Sequence, residues 1–585
     1  MKAQEEYVQL ALARQFESCL GNPDNAKNEF SFVRCIELDE RDEFPESIVT
    51  MLNRWGLQKY YVPMEYGGSL QDFEQPLQLI RMVARRDLTV AIAHGKTFLG
   101  GICAWLASEP FQARQLASCI LAGYPVSLGL TEREHGSDLM AGEVSGVPVE
   151  GGFRINGEKW LINNATRGRV VSLLVRTKHE GGPRGFDLLL IDKQAIEDGQ
   201  YECLPKELTL GIRGADISGI AFRDAFVPET CVVGAPGTGM ETLLKSLQIT
   251  RTLCASLSLG AGDHALRMAV RFGSERELYG RKLVSLPYAR RVLLDAYADQ
   301  LLAEILTLVG TRSIHALTDE MSVVSAIVKA VVPMRTEAMI SSLARFLGAR
   351  SFLLDVFAQG MFQKVQRDNR IVALFDGNTT INLHAIINQF PAIARAYRRG
   401  IADEKNDLVC DLTASLPEFD SQNISLIARH GISTLNAMPE LASRLEALAL
   451  CRPELQSTLL LVRRMQEICD SVMKRMLEGK PARLAPADSF DLAEQCASCY
   501  AAAAALGVWL NAFPHVEEDK TLAVWSNGAW LNVVYARLLN TFGEQVSPSA
   551  EADDALMAML ECQASKGQLF SLFLCSLAES QEQPC

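Results

Sequence analysis

In the stretch "IVALFDGNTTINL", residues 371 to 383, an apolar run is interrupted by one carboxylate, Asp376. Gly377 follows it at once, and Val372, Leu374, Phe375 and Ile381 surround it. A surface turn accounts for the glycine but not for these neighbours, so Asp376 is a candidate site residue. Arg251 lies mid-helix in "LQITRTLCASLSLG" among small apolar residues. A buried guanidinium there needs an anion or a carbonyl partner. In "LGLTEREHGSDL" (128–139), Thr131, Gly136 and Ser137 offer hydroxyls and backbone amides. Such a loop suits an anion or the polar edge of a planar cofactor, although any turn can look the same. "NGEKWLINNA" sets Trp160 beside Asn163 and Asn164 on a strand, which a hairpin with a core tryptophan also explains.

Other motifs carry less. "GAPGTGM" (234–240) is glycine-rich before a helix but lacks the Gly-Lys-Ser/Thr of a nucleotide loop, and reads as a helix-entry turn. "SERELYGRK" (274–282) places Arg276, Arg281 and Lys282 at a helix C-terminus, where cations are favourable without any function. Cys496 and Cys499 have CxxC spacing but no second ligand pair, so no metal site is expected and a shared buried helix face is.

The elements that must position these residues follow from periodicity. Residues 1–120 read as helices, broken at "VPMEYGGSL" by Pro63, Gly67 and Gly68. Residues 121–232 hold short β-branched or alternating segments punctuated by Gly, Asn and Asp, a small β domain. Residues 233–402 return to long periodic helices that suit a bundle. The charged stretch 402–422 reads as a linker or loop, and 403–585 as an appended all-α domain. The fold class is α+β. Its amphipathic piece "LLLVRRMQEICDSVMKRM" is read as a solvated helix face rather than a membrane contact. The net charge of −13 and the absence of a basic stripe argue against nucleic acid and for a small-molecule substrate. No apolar leader is seen, and the longest apolar run, from Tyr500, is too short to span a bilayer. With fifteen scattered cysteines, this points to a cytoplasmic, reduced protein.

Seven pieces in order resemble the acyl-CoA dehydrogenase family of flavoproteins: "VPMEYGGS", "LTEREHGSD", "NGEKWLINNA", "GIAFRDAFVP", "ITRTLCASLSLGAGDHAL", "RELYGRKL" and "RDNRIVALFDGNTTI". They span roughly residues 45 to 400 at family spacing. The chain is similar to the long members, which add a C-terminal helical domain and are dimers. The resemblance implies a bound FAD and an acyl thioester substrate. A carboxylate removes the α-proton while a hydride leaves the β-carbon for the flavin. Asp376 falls on the base position, where the family usually has glutamate in Tyr-Glu-Gly-Thr. Some members carry the base on the earlier helix, where this chain has Thr250, which cannot serve as a carboxylate. Arg251 matches an arginine near the active site.

For the cofactor, the resemblance implicates Leu130, Thr131, Gly136, Ser137, Trp160 and Asn163, then Asn378 and Thr380 after the base. Arg276 matches the arginine that reaches the neighbouring subunit's FAD pyrophosphate. In "RFLGARS", Arg345 and Gly348 stand where the family has Gln-x-x-Gly-Gly-x-Gly. Ser137, Phe375 and Gly377 fall at substrate contacts. Three functions compete. The first is α,β-dehydrogenation of an acyl-CoA, with electrons passed to an electron-transfer flavoprotein. The second is the same chemistry on an acyl or aminoacyl group bound to a carrier protein in biosynthesis. The third is a flavin-binding protein without catalysis.

Overall fold

The computed structural model describes residues 8–479, 484–516, 525 and 527–578. The chain divides into a sheet unit, Glu29–Thr250, and a helical unit, Met1–Asn28 with Arg251–Cys585. Helix α1 (Val8–Leu20) belongs to the helical unit. The sheet unit opens with α2 (Phe32–Glu40), α3 (Glu46–Trp55), α4 (Glu74–Arg86), α5 (Leu88–Ala107) and α6 (Pro110–Leu121).

Local chemistry fixes these helix ends. The Asp87 side chain accepts from Val90 N at 2.9 Å and starts α5; Pro110 opens α6 behind a reciprocal Glu109–Gln112 cap. By length and composition α5 qualifies as a membrane span, yet 78% of its apolar window is buried in the protein. It packs on the first strand so closely that a Cβ on Gly100 would fall 2.7 Å from the Val126 carbonyl carbon.

The seven strands are β1 (Val126–Gly129), β2 (Ser145–Val149), β3 (Gly152–Asn163), β4 (Val170–Arg176), β5 (Phe186–Asp192), β6 (Tyr201–Leu204) and β7 (Ile217–Pro228). Their order is β1-β4-β2-β3-β7-β6, with β5 antiparallel on β4. β4 is buried along nearly its whole length, which is why it reads "VVSLLVR" without polar alternation. Val171, Leu173, Leu189, Ile220 and Phe222 fill the core. The long β3–β7 ladder is broken by irregularities next to Gly157 and next to Leu161.

Helix α7 (Gly239–Leu253) leads into the helical unit. There follow α8 (Ala255–Glu275), a hairpin of β8 (Glu277–Leu278) and β9 (Arg281–Lys282), α9 (Pro287–Ala316) and α10 (Met321–Leu347). Shorter helices come next: α11 (Met361–Asn369), α12 (Thr379–Ile387) and α13 (Phe390–Arg399). Helices α8, α9 and α10 pack on one another as a bundle. The α, then β, then α order is the one the sequence periodicity leads one to expect.

The remaining helices are α14 (Lys405–Cys410), α15 (Ser433–Asn436), α16 (Met438–Cys451), α17 (Gln456–Glu478), α18 (Ala487–Val516), α19 (Ala529–Thr541) and α20 (Ala550–Ser565). They lie in the same compact unit as the bundle. The stretch 402–422 is not a free spacer. Buried Arg312 of α9 gathers the carbonyls of Leu408, Val409, Asp411 and Ala414 at 2.7–3.1 Å. Helix α17 buries Val462, Met465, Cys469, Val472, Met473 and Met476. Its Arg463 and Arg464 face outward, paired with Glu446, Glu467 and Glu544. Cys496 and Cys499 are fully buried on α18, as core residues.

At the start of α10 a buried acid joins bundle and appended helices. Glu320 accepts from Ser433 N at 2.9 Å and Ser433 Oγ at 2.5 Å. Burial pushes its carboxyl up to about 8, opposed by the two Ser433 donors and assisted by Asp319 and Asp403. The unfolded chain ionises near 4.5, so between 4.5 and about 8 the folded state holds a proton the unfolded state has lost. Stability from this group is therefore complete below that window and declines as pH rises through it. Glu320→Gln should flatten the fall in thermal midpoint across this window. An identical pH profile in the variant would remove Glu320 as the cause.

Candidate active site

Asp376 has φ +56 and Gly377 φ +91, two successive left-handed residues between "IVALF" and α12. Aspartate tolerates this region better than most side chains, and glycine enters it freely. A Cβ on Gly377 would sit 2.8–3.1 Å from the Arg251 guanidinium, so the position is closed to larger residues on two counts.

The turn is held from three helices. Arg251, in the last turn of α7, donates Nε to the Asp376 carbonyl at 2.9 Å. Lys329, buried in α10, donates to Val372 O at 2.6 Å and to Gly377 O at 3.2 Å, and lies 5.3 Å from the Phe375 ring centroid. Asn382 of α12 donates Nδ2 to the Gly377 and Asn378 carbonyls, both at 2.9 Å. Asn378 caps α12, its side chain accepting from Ile381 N at 2.9 Å. Thr380 is exposed in the first turn. The carboxylate meets a thiol: Cys254 Sγ donates to Asp376 Oδ2 at 3.1 Å. Cys254 stands at the break between α7 and α8. Burial pulls the Arg251 guanidinium below its usual range, with Asp376 and then Cys254 opposing.

The sheet unit gathers a second group. Lys159 of β3 donates to Leu130 O at 3.1 Å, and Trp160 N donates to Thr131 O at 2.8 Å. These bonds lash the 130–138 loop to the strand. Glu132 closes it, accepting from Lys159 Nζ at 2.7 Å, Glu143 N at 2.6 Å and Val144 N at 3.1 Å. Burial works to raise the Glu132 carboxyl, but Lys159 and the two amides outweigh it and hold it low. Burial lowers Lys159, opposed by Glu132. Gly136 and Ser137 stand exposed at the loop tip, and a Cβ on Gly136 would meet nothing within 4 Å. Half-buried Trp160 donates Nε1 to Glu207 at 2.6 Å, and Arg133 lies 4.7 Å over its ring. Asn163 ends β3, beside Asn164, whose N–H donates to Asp216 O at 2.9 Å.

Arg276 and Arg345 belong to a third place, one end of the bundle. Arg276 caps α8 and Arg345 lies in the last turn of α10; both are exposed. Phe272 and Phe346 meet edge to face at 6.0 Å, which joins the two helix ends. Gly348 follows α10 with φ +64. The sequence-expected residues thus fall into three groups. Sequence reasoning missed Cys254, Lys329 and the Glu132–Lys159 pair. The available signals were the i,i+3 spacing of Arg251 and Cys254, and a lone lysine in the apolar "SAIVKAVVP".

Family comparison gives this arrangement its class. The acyl-CoA dehydrogenase middle domain matches residues 127–225, and the acyl-CoA dehydrogenase C-terminal domain matches residues 237–390. A Mycobacterium tuberculosis protein named "Probable acyl-CoA dehydrogenase FadE25" is 24% identical over 346 residues, 59% of this chain and 87% of that one. In fold, a Bacillus anthracis acyl-CoA dehydrogenase complexed with FAD covers 95% of both chains at a TM-score of 0.66 and 15% identity. The prolyl acyl carrier protein oxidase AnaB covers 66% of this chain and 98% of its own, at a TM-score of 0.59 and 14% identity. The chain belongs to the acyl-CoA dehydrogenase family, whose members are oxidoreductases of CH–CH donors with FAD as cofactor. The donors present suit FAD. The Thr131 hydroxyl and the exposed loop tip at Gly136 and Ser137 suit a flavin's polar edge, and the exposed Arg276 and Arg345 suit a pyrophosphate.

Lys329 tests the frame around the acid. Lys329→Met deprives two inward-facing carbonyls of their cation, at about 1–3 kcal/mol for a buried unsatisfied group. A lowered thermal midpoint is the expected result. A midpoint equal to wild type would mean that the turn does not depend on this lysine.

Proposed function

We propose that the protein dehydrogenates an acyl thioester between its α and β carbons, with Asp376 as the base that takes the α-proton. The observation that carries this reading is the acid held in a left-handed turn by Arg251, Lys329 and Asn382, at the position where the family resemblance puts the base. An α-proton beside a thioester is a very weak acid, so the base must be fixed within reach in a water-poor setting. Three donors on the turn's carbonyls fix the backbone, and the cations among them favour negative charge developing nearby. Cys254 orients the carboxylate through Oδ2. Phe375 and Gly377 flank the acid and contribute the walls along which the thioester lies.

The chemistry that a bound FAD would supply is acceptance of a hydride from the β-carbon. Leu130, Thr131, Gly136, Ser137, Trp160 and Asn163 of the sheet unit hold it in this proposal, with Asn378 and Thr380 after the acid. Arg276, Arg345 and Gly348 serve its pyrophosphate across a homodimer. The electron acceptor is a flavoprotein of the electron-transfer type, and the protein acts in the cytoplasm. The appended helices, 403–585, form the dimeric long-form domain. A second reading keeps the chemistry and places the acyl group on a carrier protein. Aspartate in place of glutamate supports it, because a base one methylene shorter suits a differently seated substrate.

Anaerobic mixing of the FAD-loaded protein with acyl-CoA and carrier-bound thioesters separates the two readings by which class bleaches the flavin. Asp376→Asn should slow bleaching by about 100- to 10,000-fold, the usual contribution of a general base, while the protein stays yellow. Bleaching at wild-type rate would exclude Asp376 as the base. Cys254→Ala removes a hydrogen bond to the charged carboxylate, so the acid limb of the pH–rate profile should move upward. Cys254→Ser should return the limb to the wild-type position or below it, and coincident profiles for all three proteins would show that the thiol does not act on the acid.

A further inference from the structure

The helical unit carries a cavity that none of this chemistry uses. It has a volume of about 270 Å³ and is lined by Arg395 and Arg399 of α13 and by Arg429 and His430 of the following loop. Ala396 and Ile401 form an apolar wall. Three arginines and a histidine converge here, and no carboxylate lines the space. Arg395 donates Nε to Pro391 O at 2.8 Å. Among the described residues none of the three arginines is paired with an acid. In a chain of net charge −13, this concentration of unbalanced positive charge opposes the overall field.

The two segments that supply the cations are locked together. Gly431 has φ +80 and lies so near α13 that a Cβ there would come 2.3 Å from Ala396 Cβ. Buried Asn436 donates Nδ2 to Ile401 O at 2.9 Å and to His430 O at 3.5 Å, so one amide spans both walls. Gln389 accepts from Ala428 N at 2.7 Å and fixes the loop's approach. Arg395 and Arg399 stand four apart on the helix, on one face. Helix-end cations are favourable on their own account, which explains Arg398 and Arg399 but not Arg429 and His430, which the loop brings in.

We propose that this cavity binds the phosphate group of a small soluble organic phosphate. Arginine forks match phosphate oxygens bidentately, and several around one cavity favour a multiply charged group over a single carboxylate. The volume falls just below the range of roughly 300–1,000 Å³ that encloses a drug-sized ligand, so the site holds a headgroup and leaves the remainder outside. The apolar wall favours an organic phosphate over the inorganic ion.

Calorimetric titration of the FAD-loaded protein with inorganic pyrophosphate and, separately, with AMP tests the proposal. Both should bind at one site per chain and weaken with added salt. The double variant Arg399→Ala, Arg429→Ala should bind each at least tenfold more weakly. Flavin content equal to wild type shows that the variant is folded, and lysine at the same two positions should recover part of the affinity. Absence of binding in the wild type overturns the proposal, as does binding unchanged by the double alanine variant. Tighter binding of AMP than of pyrophosphate identifies an organic phosphate as the ligand, and the reverse order removes the role assigned to the apolar wall.

Discussion

Two consecutive left-handed residues, Asp376 and Gly377, dictate where the surrounding helices must send their polar groups. In that conformation the carbonyls of 372, 376 and 377 turn inward instead of continuing a helix ladder. An inward carbonyl without a donor is expensive. The chain answers with one donor from each of three helices: Arg251, Lys329 and Asn382. Each is a polar side chain in an otherwise apolar stretch, and each is explained by the turn. The turn also requires glycine at 377, because the Arg251 guanidinium occupies the space a Cβ would take. Arginine and glycine therefore stand or fall together.

The same logic binds the appended helices to the bundle. Asp263, Asp299 and Glu304 are buried carboxylates on α8 and α9. Asp263 accepts from Phe570 N at 2.7 Å, and Glu304 accepts from Ser571 Oγ at 2.6 Å and Leu572 N at 2.8 Å. Asp299 joins Arg335 of α10 to Arg537 of α19 at 3.1 and 3.0 Å. A buried carboxylate without partners is strongly disfavoured. These acids make sense only with the C-terminal segment seated on them, so the bundle and its extension have one shared interior.

What the sequence made legible follows from range. The short β-branched run of "RVVSLLVRT" and the helical spacing of "YARRVLLDAYADQLLAEILTLVG" are local patterns, and they yielded the α, β, α order. Asp376 was visible because an acid between Phe and Gly breaks its own local pattern. Cys254 was not visible, since a cysteine among small apolar residues looks like filling, and its partner lies 122 residues away. The fastening of 402–422 was hidden for a related reason. Its charges read as a linker or loop, while the residue that holds it, Arg312, sits about a hundred residues earlier on α9. Composition describes a segment's own solubility and says nothing of which distant side chain collects its carbonyls.

In the proposed reaction, the thiol at Asp376 balances two demands. Cations close to a base favour the negative charge that develops on a substrate, but they also stabilise the ionised base and so weaken its pull on a proton. In this turn Arg251 and Lys329 spend hydrogen bonds on main-chain carbonyls, which fixes their distance and direction relative to the acid. The contact at Oδ2 comes from Cys254, a weak and uncharged donor. A serine hydroxyl would bond the carboxylate more strongly and hold it more firmly in its ionised form. A thiol orients the short aspartate side chain with less loss of basicity, which matters most where the acid lacks the extra methylene of a glutamate.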